Sequence, residues 1–194
     1  MNSVIAAYKH MGIQGKTIDF IPYSLDYIDD ILRLRNQIEA KYFLSQNYDI
    51  TFAQQKEWIM NYLKKEDEIG YIVKNKRGDI VGTFFLYELT STSIELGRAV
   101  FSADKRRGGP YAVETVLFAT DFAFNKLHLR KMVAHVKEDN TGLLSLLCKF
   151  NFKITGSKVI RGATYHVMAL QSDNYDHHHI NQIVSSRIEQ QIAS

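Results

Sequence analysis

The sequence predicts an α+β (mixed α/β) fold: a mostly antiparallel central sheet with one parallel βαβ pair and helices on both faces. Three observations carry that expectation. Between Glu68 and Phe101, three β-type runs, EIGYIVKN, DIVGTFFLYEL and SIELGRAVF, are joined only by short polar turns, the spacing of an antiparallel meander. From Ser93 to Val136 the pattern becomes strand, long helix, strand, a crossover that places its two strands parallel. Phe152–Ser157 and Thr164–Gln171 then read as a closing hairpin.

The elements follow in order. Residues 1–16 show no strong pattern and read as a loose N-terminal arm. Thr17–Tyr23 is the first predicted strand, and Ser24 is placed to cap a helix whose Leu25, Ile28, Ile31 and Leu32 recur at helical spacing. IEAKYFLSQNYDI, residues 38–50, is irregular and aromatic. Thr51 and Gln54 form a capping-box pattern that opens a second helix with Phe52, Trp58, Ile59, Tyr62 and Leu63 on its apolar face. Lys76-Arg77-Gly78 is a hairpin turn. Ala112–Leu127 is a long helix, with Val113, Val116, Leu117, Thr120 and Phe124 towards the core; Glu114 in its first turn reads as structural, its charge on the helix N-terminus. Asp139 or Asn140 caps the helix TGLLSLLCKF. The domain therefore spans 17–171. Residues 172–194 form a tail in which Ile180, Ile183, Val184, Ile188 and Ile192 suggest an amphipathic helix, packed on its own domain or forming a homodimer contact.

Composition excludes several classes. The net charge of +3 is too mild to imply nucleic acid and suits a small anionic ligand. No apolar run is long enough to span a bilayer, and the first residues lack a signal-peptide pattern. Cys148 is the only cysteine, so no intrachain disulfide forms; these features read as cytoplasmic, with Cys148 a buried structural thiol. Seven histidines include the run His177-His178-His179, but adjacent residues make a poor closed metal site, and no metal is expected. His135 reads as a packed core or edge residue, and His166 as a residue that could face a substrate.

The stretch most suggestive of chemistry is Ala99–Ala112, AVFSADKRRGGPYA. A strand runs into a basic glycine turn and then a helix. Glycines permit close backbone approach, and the first helical amides attract an anion. A surface turn with solvated charges would show the same local pattern.

Two motifs carry a resemblance. Arg107-Gly108-Gly109-Pro110-Tyr111-Ala112 falls on the signature Arg/Gln-x-x-Gly-x-Gly/Ala, with Pro110 where a glycine normally stands; Asn140, Leu146, Lys149 and Phe152 match a second run in register, from which Leu143 and Asn151 depart. With the element order, they resemble the GNAT superfamily of acyl-CoA-dependent N-acetyltransferases. Leu34-Arg35-Asn36, the aromatic segment and Thr51-Phe52 with Trp58 look most like the branch of ribosomal-protein N-terminal and amino-sugar-nucleotide acetyltransferases.

The resemblance implies acetyl-CoA as co-substrate and direct attack by an amine on the thioester. It implies a sheet splayed at the fourth predicted strand, where the backbone of Ala99, Val100 and Phe101 pairs with pantetheine. Arg106, Arg107 and the amides of Gly108, Gly109, Tyr111 and Ala112 would hold the pyrophosphate, and Asn140 would contact the pantetheine arm. Arg35, Asn36, Tyr42 and Phe43 would line the acceptor side. Glu95, a carboxylate in an otherwise apolar strand, is the general-base candidate, or else a surface carboxylate or a partner of Arg98. Leu147 stands where relatives have the tyrosine that protonates the thiolate, leaving Tyr165, Tyr111, Ser145 or solvent; Tyr165 is the residue chosen here. The acceptor implied is a small primary amine such as a nucleotide-linked amino sugar. The alternatives are a protein N-terminus, or CoA binding without catalysis.

Overall fold

The computed structural model describes residues 2–103 and 111–176, together with 178, 181, 182, 185 and 186. Arg106, Arg107, Gly108, Gly109 and Pro110 lie outside the described residues, as do His177, His179 and the apolar tail positions Ile180, Ile183, Val184, Ile188 and Ile192.

Eight strands form one sheet: β1 (Ile13–Gln14), β2 (Ile18–Pro22), β3 (Ile69–Asn75), β4 (Ile80–Tyr87), β5 (Ser93–Phe101), β6 (Lys131–Lys137), β7 (Lys153–Ile160) and β8 (Ala163–Gln171). Their spatial order is β1-β2-β3-β4-β5-β6-β8-β7, and every neighbouring pair is antiparallel except β5 with β6. The helices are α1 (Asn2–Lys9), α2 (Ile28–Arg35), α3 (Ile38–Phe43), α4 (Phe52–Leu63), α5 (Tyr111–Asp121) and α6 (Thr141–Lys149). None is long and apolar enough to cross a membrane.

The central strands are buried on both faces, and their alternation divides the core in two. In β3, Tyr71 and Val73 join a cluster with Ile5 of α1, Val116 of α5 and Leu147 of α6. Ile72, pointing the other way, joins Ile31 and Leu34 of α2 and Ile59 and Tyr62 of α4.

Local chemistry fixes several boundaries. The Thr51 hydroxyl accepts from the Gln54 amide at 3.3 Å while Gln54 Oε1 accepts from the Thr51 amide at 2.9 Å, completing the capping box of α4. Gly78 turns the β3–β4 hairpin at φ +92°, where a side chain would be strained. Ser24 makes no side-chain cap; its hydroxyl donates to Asp26 at 3.1 Å, and a 3-10 turn, Leu25–Tyr27, precedes α2. The segment expected to be irregular contains α3, and α5 ends earlier than expected, in a π-helical turn at Phe122–Lys126.

The first sixteen residues are not a loose arm. Ile5 is fully buried, and the Lys9 ammonium donates to the Tyr62 carbonyl at 2.8 Å. The adjoining β1–β2 turn is held by Glu114, a buried carboxylate that accepts from the amides of Lys16 and Thr17 and from the Thr17 hydroxyl. Glu114 is structural as expected, but its partners come from that turn. Truncating it strands these donors, so Glu114→Ala is expected to lower unfolding free energy by about 3 kcal/mol in urea titration.

Burial pushes the phenols of Tyr23, Tyr62, Tyr71 and Tyr87 well above the usual range near 10. A raised folded-state pKa contributes stability that is complete below the unfolded value and is lost as pH climbs through the folded one. These four of the eleven tyrosines should therefore stay silent in phenolate absorbance near pH 11 and ionise only as far-UV dichroism collapses at higher pH.

Candidate active site

The site begins where two strands part. β5 and β6 pair only through Ser93 with Lys131, Ile94 with Met132 and Glu95 with Val133. Beyond Glu95, β5 stays with β4 and β6 stays with β8. A bulge helps to turn β5 away. Phe85 opposes Gly97 and Thr83 opposes Val100, leaving Arg98 and Ala99 across from Phe84. Arg98 adopts φ +50°, a strained conformation for a side chain of its size. Its guanidinium is anchored by an ion pair with buried Glu68 and lies 4.0 Å from the centre of the Tyr87 ring.

The gap is a cavity of about 280 Å³ that reaches from the α2 side of the sheet to α5 and α6. Against it lies a second space, walled by α3, the end of β5 and the start of α6, which shares Phe43, Leu44, Ala99, Phe101, Asn140 and Leu143 with the first. Glu95 projects into the first cavity at the fork. Its Oε1 accepts from the Tyr87 hydroxyl at 2.5 Å and from Nδ1 of His135 at 2.9 Å. Burial, and next the charge of Glu95, push the Tyr87 phenol upward, so it remains a donor. Arg98 is committed to Glu68, and Glu95 is neither its partner nor an exposed surface carboxylate.

Other expected residues divide by position. Ala99, Phe101, Ala112, Asn140, Arg35, Phe43 and Tyr165 line the first cavity, and Val100 lines the second. Asn140 caps α6, its side-chain oxygen accepting from the Leu143 amide at 3.2 Å. Tyr165 donates to the Phe43 carbonyl at 2.9 Å and lies 2.7 Å from the Ser45 hydroxyl. Leu147 also lines the cavity, so its helix presents the expected face. Tyr111 is packed in the core, and Ser145 is exposed.

Asn36 does not line either space; its amide clamps the backbone of Ile50 at 2.8 and 2.9 Å. Tyr42 bridges the rim, its hydroxyl on Asp139 and its ring 3.2 Å from the Lys137 ammonium. His166 opposes Val136 on the face away from Tyr165 and is absent from the cavity wall. Cys148 is exposed rather than buried, because Leu147 beside it takes the inward position on α6. Among the described residues no cluster of His, Cys, Asp or Glu could hold a metal. Sequence reasoning missed Tyr87 and His135 as site residues. They stand on β4 and β6, and only strand register brings them to Glu95.

Two features fit a bound acyl carrier. The edge of β5 from Leu96 to Phe101 that faces the gap has no strand partner. The buried Thr115 hydroxyl, also in the cavity wall, has no hydrogen-bond partner among the described residues.

Residues 18–153 match the family model of the acetyltransferase (GNAT) domain. The chain belongs to the GNAT acetyltransferase family. It is therefore an N-acetyltransferase with acetyl-CoA as co-substrate. A comparison with curated proteins finds no match. Similar solved structures include a spermidine N-acetyltransferase from Vibrio cholerae in complex with CoA and spermine, 17% identical with TM-score 0.74, over 83% of this chain and 99% of that one. A GCN5-related N-acetyltransferase from Brucella melitensis is 17% identical with TM-score 0.75, over 91% and 85%. A GNAT-family acetyltransferase from Bacillus anthracis is 14% identical with TM-score 0.72, over 84% and 99%. At these identities the likeness shows the fold, with the expected mostly antiparallel sheet and its single parallel pair.

A Cβ on Gly97 would stand 2.5 Å from the Tyr87 hydroxyl. Gly97→Ala should therefore displace the phenol from Glu95 and lower kcat/KM about tenfold, the worth of one hydrogen bond to a charged group. Tyr87→Phe should reproduce the loss without crowding; wild-type rates in both variants would show that the contact has no role in turnover.

Proposed function

We propose that the enzyme acetylates the primary amine of a small acceptor, such as a nucleotide-linked amino sugar, with Glu95 as general base. The observation that carries this reading is the placement of Glu95 at the fork of β5 and β6, oriented by Tyr87 and His135 inside the cavity. Acetyl-CoA supplies the acetyl group as a thioester that an amine attacks directly. The open edge of β5 at Ala99, Val100 and Phe101, with Asn140 and the Thr115 hydroxyl, would hold its pantetheine arm. Arg106, Arg107, Gly108, Gly109, Tyr111 and Ala112 would hold its phosphates, the last two at the start of α5, where amides lack helical partners.

Within that frame Glu95 takes the proton that the amine sheds, directly or through one water. Tyr165, whose hydroxyl proton rests on the Phe43 carbonyl, would turn it to the departing sulfur and regain a proton from solvent as CoA leaves. Arg35 and Phe43 line the acceptor end, while Asn36 and Tyr42 shape it from behind. The branch of amino-sugar-nucleotide and ribosomal-protein acetyltransferases and a cytoplasmic location belong to the same proposal. Association through the C-terminal tail does too.

One observation favours a second assignment of the base. Nδ1 of His135 is committed to Glu95, which leaves Nε2 as the ring nitrogen that could take the amine's proton. Thioester-dependent CoA release separates the two. With Glu95 as base, Glu95→Gln lowers kcat about 100-fold or more and His135→Ala only modestly. With His135 as base, His135→Ala loses at least as much as Glu95→Gln. Full activity in Glu95→Gln would remove Glu95 from the reaction.

A further inference from the structure

We propose that the acceptor carries an oxyanion, a carboxylate or a phosphoryl group, that docks on Arg35 in the cavity. This rests on the acetyl-transfer reading above and names the chemical class of its second substrate. Arg35 ends α2 and lines the cavity. Its Nε is shut off from solvent and has no hydrogen-bond partner among the described residues. Nη2 makes one long contact, 3.3 Å, to the neutral side-chain oxygen of Gln46. Gln46 is itself buried and fixed by a 2.8 Å bond from its Nε2 to the Tyr48 carbonyl, so its oxygen is held toward the guanidinium.

No described carboxylate pairs with Arg35. Arg33 has Asp30, and Arg98 has Glu68. A guanidinium withdrawn from water without an anion is costly. Burial pulls its pKa below the ordinary arginine range, and the positive charges of Arg98 and Arg161 add to the effect. A planar guanidinium that lines the cavity without a carboxylate partner suits a carboxylate or a phosphoryl oxygen.

The rest of the wall agrees. Among the described residues Glu95 is the one carboxylate lining the cavity at the fork, whereas Arg35, Arg98, Arg161 and Lys137 all line it. Arg98 shares the Glu68 carboxylate with Lys65, which leaves Arg35, Arg161 and Lys137 as the cavity's cations without a described carboxylate partner. An acceptor with its amine at Glu95 and an anion at Arg35 complements this distribution. A linear polyamine places further ammonium groups against like charge.

The test compares matched acceptors by CoA release from acetyl-CoA: an α-amino acid against its amide, and a hexosamine phosphate against the free hexosamine. The wild type is expected to favour the anionic member of at least one pair by about tenfold or more in kcat/KM, expressed in KM. The amino-acid pair reports a carboxylate and the sugar pair a phosphoryl group. Arg35→Met is expected to bring the ratio near one, and Arg35→Lys to restore part of it; thermal melting confirms that the variants fold. Equal rates within both pairs, a preference for spermidine, or an unchanged ratio in Arg35→Met would overturn the anion site while leaving acetyl transfer intact. If no amine releases CoA, the acetyl-transfer reading fails, and thermal stabilisation by inorganic phosphate with CoA present decides the site. Stabilisation that disappears in Arg35→Met upholds it, and stabilisation that is absent or unchanged overturns it.

Discussion

The brevity of the parallel pairing between β5 and β6 is the constraint on which the site depends. Both strands continue well past Glu95 and Val133, each with an antiparallel partner on its other side, so neither is free to follow the other. The bulge around Arg98 turns that frustration into a fixed opening. The strain of a left-handed arginine is offset by an ion pair with a buried carboxylate and by stacking on an aromatic ring. A gap made this way is lined by backbone on one edge and by side chains from both faces of the sheet. It can therefore offer strand-like hydrogen bonds and chemical groups in the same place.

The polar groups around the gap are arranged unevenly. Near the fork, Glu95 is satisfied by a phenol and an imidazole and oriented by both. Elsewhere in the wall, Arg35 and Thr115 keep buried polar atoms without partners among the described residues. Protein interiors seldom leave such atoms idle, and their concentration beside one cavity marks it as the place where the structure anticipates a ligand.

Much of this was legible because it is local. The capping box at Thr51 and Gln54, the Gly78 turn, the Asn140 cap and the meander of strands are each specified within a few residues. Glu95 stood out as a carboxylate in an apolar strand. Tyr87 and His135 gave no such signal; they lie 8 and 40 residues from Glu95, and register alone joins the three. The N-terminal helix was missed for a similar reason, since the burial of Ile5 and Lys9 depends on surfaces supplied by distant strands. Cys148 was misplaced because the inward face of α6 passes through Leu147, one residue away.

The wall formed by α3 has a different kind of consequence. Of its residues only Ala40 is buried, and the chain there meets the opposite rim through the exposed contacts of Tyr42 with Lys137 and Asp139. Such contacts contribute little to stability, and of α3 only Ala40 reaches the apolar cluster beneath α2 and α4. The exposed positions of α3 can thus drift under selection with little penalty to folding. A lineage could retain its sheet, its fork and its acyl donor while the outer surface of α3 changes, so that one wall of the cavity is free to vary where the core is not.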